Sequence, residues 1–190
     1  MRPTLPLAAA ATFLILAACG PLREEEAWTP LPMERLRLKP VTLQGPPPAD
    51  HARDTCDRAP EQLQDHLAGL LRKRLAPVDL VPPEAGEPAG GGTLEVSILG
   101  CHLESHQWDV GSAEPDISFY LTLSLHVRLL DPEGEVLLER MVETVEQAHT
   151  DTPTPLYELN NYPPARRVAD LFSEGRYRKS RGDPAALPSP

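Results

Sequence analysis

Aromatic residues are scarce, at 5% of the chain, while prolines number 23 among 190 residues. That balance argues against a large, tightly packed interior and predicts irregular chain around a modest core. No apolar run is long enough to cross a bilayer. The longest, residues 5–18, is interrupted by Pro6 and falls short of the roughly 20 residues that about 30 Å of hydrocarbon requires. Basic residues are outnumbered, 18 against 28 acidic ones, for a net charge of -10. Such a surface repels phosphate backbones, which argues against a nucleic-acid partner. Nucleophile motifs are missing as well: there is no Gly-x-Ser-x-Gly elbow and no Walker-type loop. Gly90-Gly91-Gly92 precedes a strand pattern rather than a helix, so its amides are not placed to hold phosphate. Cys56 and Cys101 each have a histidine nearby in sequence, His51 and His102, which is not enough to make a Cys-His dyad. The expectation is a non-enzymatic chain without a cofactor.

What is present begins at the N-terminus. Arg2, the apolar run from Leu5 to Ala18, and small residues before Cys19 are the parts of a secretory signal. Gly20-Pro21 and then Arg23-Glu24-Glu25-Glu26 end the run abruptly. Leu16-Ala17-Ala18-Cys19 resembles the lipobox of bacterial lipoproteins. The resemblance implies removal of residues 1–18, a diacylglycerol thioether on Cys19 and acylation of its new amino group. Several acyl chains give stable membrane attachment where one is marginal. The family's sorting rule reads Gly20, in place of an Asp, as favouring the outer membrane, with inner-membrane anchoring as the alternative. Loss of Arg2 with the signal takes the net charge to -11 and leaves 172 residues, enough for one domain.

Along the mature chain, residues 19–33 read as a lipidated tether, with an acidic run and the pair Pro30 and Pro32. A domain is expected over 34–175. Arg35-Leu36-Arg37-Leu38-Lys39 alternates as a half-buried strand that Pro40 confines to an edge or ends early. Leu63, Leu67, Leu70, Leu71 and Leu75 form one stripe of a helix over Pro60–Leu75. Val78–Val81 is a short strand candidate, and 84–92 a flexible internal linker rich in Gly, Pro and Ala. Thr93–Glu104 changes hydrophobic phase beside Gly100, the pattern of a β-bulge. Asp116–Leu130 alternates cleanly, Asp131-Pro132-Glu133-Gly134 supplies a turn, and Val136–Glu146 is expected back as the second arm of a hairpin. In that arm Leu137, Leu138, Met141, Val142 and Val145 also fit a helical stripe; the turn and the β-branched residues favour strand. A short helix is expected from Pro163 or Pro164 to Glu174, with Gly175 as its stop. Residues 176–190 read as a disordered tail whose basic run, Arg176, Arg178, Lys179 and Arg181, is either solvated or in contact with anionic head groups.

The fold expectation is α+β: a single mixed or antiparallel sheet of four to five strands with one or two helices on one face. Two candidate sites remain. Cys56 and Cys101 are left over once Cys19 is lipidated, and form either a disulfide in an oxidising compartment or two separate buried thiols. His102, Glu104 and His106 share one strand face, as in a two-His, one-carboxylate metal cluster. No fourth ligand is marked, and polar residues on a solvated strand end give the same pattern, so no metal is expected. Cys19-Gly20, the Pro60–Leu75 helix, the strand Ile117–Leu129 and the turn after it together resemble the lipoprotein that plugs the lipopolysaccharide-export barrel. The linker at 84–92 and the short C-terminal part depart from that family. The resemblance implies a non-catalytic outer-membrane accessory in envelope assembly or transport, held by its lipid and bound to an envelope protein. A stand-alone lipid- or glycan-binding lipoprotein is the alternative.

Overall fold

The computed structural model describes residues 27–82, 90–108, 116–149 and 162–179. Cys19 and the stretch expected to be a lipobox, Leu16 to Ala18, lie outside them. Nine strands and two α-helices follow in the order β1 (Ala27–Pro30), β2 (Arg35–Leu38), β3 (Thr42–Leu43), α1 (Arg53–Arg74), β4 (Asp79–Val81), β5 (Gly92–Trp108), β6 (Asp116–Leu130), β7 (Val136–His149), α2 (Pro163–Ala169), β8 (Phe172–Ser173) and β9 (Arg176–Lys179). No described helix is long and apolar enough to cross a membrane. The class is α+β, but the described residues form two sheets rather than one and nine strands rather than four to five.

The larger sheet runs β4-β2-β5-β6-β7, with β3 beside β5. Strand β2 pairs in parallel with β4 and β5, β3 pairs in parallel with β5, and β5, β6 and β7 form a long antiparallel meander. The register of β5 against β6 shifts between Ile98 and Gly100. The bulge lets Leu94, Val96 and Ile98 point into the core before it, and turns Cys101 and Leu103 against the same core after it. From β6, Leu121, Leu123, Leu125, Val127 and Leu129 face inward. The arm with two possible periodicities is a strand, β7, because one of its edges pairs with β6 along Val136–His149. Strand β2 is interior, between β4 and β5. It ends at Leu38, before Pro40 would remove a ladder donor.

Helix α1 starts seven residues before the expected Pro60. Its buried stripe is Cys56, Ala59, Leu63, Leu67 and Leu71, so the apolar face extends a further turn in the N-terminal direction. Pro60 sits inside the helix, where its missing N–H forfeits one intrahelical bond to Cys56. A 3-10 turn, Asp50–Ala52, leads into it. The expected C-terminal helix is shorter, ending at Ala169. Glu174 and Gly175 both take positive φ, 49° and 68°, a hairpin turn between β8 and β9 that no helix accommodates.

Three expected boundaries therefore move. Residues 27–33 are not tether: β1 pairs antiparallel with β9, and Leu31 and Met33 are buried. The stretch from 176 is not a disordered tail as far as Lys179, because Arg176–Lys179 is β9, with Tyr177 buried against the core. Gly92 is not linker but the first residue of β5, where a Cβ would collide with the Met33 sulfur. Most of the rest of 84–92 lies outside the described residues. In each case, pairing or burial of a short segment offsets its weak local propensity.

Candidate functional site

Helices α1 and α2 occupy one face of the large sheet. The other face is the more exposed one, with the Pro46–Ala49 loop standing beside part of it and Ser118 buried toward one end. Period-two alternation puts Glu95, Ser97, His102, Glu104 and His106 of β5 on that open face, beside Tyr120, Thr122, Ser124, His126 and Arg128 of β6 and Glu139, Met141, Glu143 and Val145 of β7.

An ion ladder crosses this face. Lys39 Nζ lies 2.7 Å from Glu95, which also accepts from Arg128 at 3.2 Å. Arg128 approaches Glu139 at 3.6 Å, and Glu139 is 2.8 Å from His126 Nε2. Toward the far end of β5 a second cluster forms. His102 Nε2 is 3.0 Å from one oxygen of Glu104, and His106 Nε2 is 3.4 Å from the other. These hydrogen bonds, His102's first, hold the Glu104 carboxyl below its ordinary range. Tyr120 stands edge-on to the His106 ring, at 5.2 Å between centroids. The two imidazoles thus address opposite oxygens of one exposed carboxylate. No group of three ligating side chains around one metal position occurs among the described residues.

Beside the bulge is a groove of about 320 Å³, walled by Pro46, Pro47, Pro48 and Ala49 on one side and by Leu99 to His102, Thr122 and Ser124 on the other. The loop can approach this closely because Gly45 has no side chain: a Cβ there would collide with the Leu99 carbonyl oxygen. Cys56 and Cys101 are joined in a disulfide, with Cα atoms 5.9 Å apart, tying the start of α1 to β5 just past the bulge. His51 adds a hydrogen bond of 3.0 Å to the Leu103 carbonyl.

Under the helices is a group that the sequence reading passed over. Glu146 of β7 is 3% exposed, and among the described residues neither of its carboxylate oxygens has a hydrogen-bond partner. Burial pushes its pKa up to about 7. Tyr162, at the start of α2, is raised first by burial and then by the Glu146 charge, and its ring stacks on His66 of α1 at 5.2 Å. The signal was present, since Glu146 stands in phase with inward-facing Leu138, Val142 and Thr144. Of the basic run, Arg178 lies 5.1 Å over the Trp28 ring across the β1–β9 pair, while Arg181 lies outside the described residues.

No family model and no curated protein matches this chain. Among the solved structures similar to it are three lipoproteins, matched over most of their own length. A minor lipoprotein from Acinetobacter baumannii is 14% identical, over 73% of this chain and 85% of its own, at a TM-score of 0.35. A lipoprotein from Neisseria meningitidis is 12% identical, over 72% and 98%, at 0.36. Lipoprotein B from Nitrosomonas europaea is 14% identical, over 73% and 76%, at 0.35. These are loose likenesses, and they transfer no ligand, partner or role.

Proposed function

We propose that the chain is a bacterial lipoprotein, lipidated at Cys19 and anchored at the periplasmic face of the outer membrane, whose domain is a non-catalytic accessory that binds an envelope protein. The observation that carries this reading is the division of the three cysteines. Cys56 and Cys101 are bonded to each other, which suits an oxidising compartment. Cys19 falls outside that pair, at the end of the apolar run. The first strand starts at Ala27, so the chain from Cys19 spans at most about 28 Å when fully extended. The domain works within roughly a bilayer thickness of its anchor. Anchoring raises the effective concentration of a partner in the same membrane without new contacts. The more exposed face, dressed with paired charges, suits recognition of a charged partner.

Intact-mass measurement of the protein extracted from membranes in detergent tests the anchor. The expected result is a chain beginning at Cys19 and carrying acyl mass, with Cys19→Ala moving the protein to the soluble fraction. A chain that begins upstream of Cys19, or one without acyl mass, overturns the reading.

A further inference from the structure

Strand β7 closes one side of the large sheet. Among the described residues it pairs with β6 alone, with α2 and β9 packed close to it, so the N–H and C=O groups of its other edge have no strand partner there. On the open face this strand presents Glu139, Met141, Glu143 and Val145 in alternation. Glu139 is engaged by His126 and Arg128. Glu143 is exposed, and no ion pair or hydrogen bond engages it among the described residues. It is flanked by two of the most exposed large apolar side chains of the fold, Met141 at 51% and Val145 at 62%. An unpaired acid between two uncovered apolar groups, on an unpaired edge, is a template with a definite complement.

We infer that the free edge of β7 takes up an extended segment of a partner protein by main-chain pairing, with a Lys or Arg opposite Glu143 and apolar residues opposite Met141 and Val145. This deepens the proposed accessory role and rests on it for the existence of a protein partner. Pairing of this kind takes affinity from the backbone and selectivity from alternate side chains. Charge decides against the other occupants. A second copy brings the same acidic strand and a net charge of -10, and an antiparallel β7–β7 pairing centred on Glu143 sets that residue against itself. The chain's own remaining segments are unsuited too. Residues 83–89, 109–115 and 150–161 carry acids and prolines and no basic residue, Arg23 in 19–26 is followed directly by Glu24, Glu25 and Glu26, and Arg181 in 180–190 is followed closely by Asp183 and Pro184. Inward-pointing Glu146 near the end of the strand is a device that discourages indiscriminate pairing, which leaves a complementary strand as the permitted guest.

Amide hydrogen exchange on the full acylated protein in detergent tests this, with two synthetic probes. One is a short peptide in which threonines alternate with valine, lysine and valine; the other has glutamate in place of lysine. Successive amides of a strand point to opposite edges, so the lysine peptide is expected to slow exchange at alternate β7 amides, and the glutamate peptide to leave them unchanged. Glu143→Lys, at an exposed site, should weaken the lysine peptide about two- to fivefold and favour the glutamate one. Equal slowing by both peptides, or slowing by neither, overturns the proposal. So does protection of both sets of β7 amides before any peptide is added, with monomer mass pointing to the chain's own cover and dimer mass to a second copy. Failure to find acyl mass on Cys19 would remove the lipoprotein reading and leave these outcomes interpretable by themselves.

Discussion

At the scale of single residues, Glu146 is the costliest feature of the fold. A carboxyl with both oxygens unsatisfied and 3% exposure is held neutral by desolvation, so the native state keeps its proton up to about pH 7 while the unfolded chain releases it near 4.5. The sign of the linkage follows. Between those values the native state binds more protons than the unfolded state, so stability falls as pH rises. Below about 4.5 Glu146 imposes no penalty, and above about 7 the penalty is complete, at about 3 kcal/mol. Glu146→Gln is therefore expected to be more stable than the parent at pH 8, and to lose this contribution to the slope between pH 5 and 7. Urea unfolding across that range checks it. An unchanged slope would place the carboxylate in contact with water.

At the scale of elements, α1 and β5 are bound twice, by the leucine stripe and by the Cys56–Cys101 bond. Cross-linking positions 45 apart stabilises by about 4 kcal/mol in the chain-entropy treatment. A Cys56→Ala, Cys101→Ala double variant should lose about that amount in urea, while losing less than 1 kcal/mol would show the bond to be incidental. The helical stripe was legible because Leu63, Leu67 and Leu71 recur at helical spacing. The helix start was not, because Ala52, Cys56 and Ala59 are too small to stand out in sequence and are core by position alone. Strand β6 was legible for the opposite reason: each alternate residue from Leu121 to Leu129 is a large apolar one.

At the scale of the whole molecule, the two ends of the domain close on each other. Strands β1 and β9 are four residues each, shorter than any segment that would hold alone, and their sequences resemble a tether and a basic tail. What holds them is shared burial: Tyr177, Phe172, Leu31 and Met33 join the core that β5, β6 and the helices build. Tyr177→Ala should therefore cost about 3 kcal/mol, and loosen β1 as well as β9. Exchange protection lost together at residues 27–30 and 176–179 is the expected readout. Loss confined to β9 would mean that the small sheet is not one unit.

Residue order alone determined the lipobox pattern at Cys19, the candidate pairing of Cys56 with Cys101, the meander and its bulge, and the face on which His102, Glu104 and His106 lie. These are local properties, set by spacing and side-chain period. Only the tertiary structure decided which cysteines meet, that residues 27–33 and 176–179 form a second sheet, that Glu146 is sealed beneath α2, and that β7 keeps an open edge beside Glu143. Each of those depends on segments far apart in the chain being brought into contact, and free energy gained by burial between distant segments leaves no periodic mark on either one.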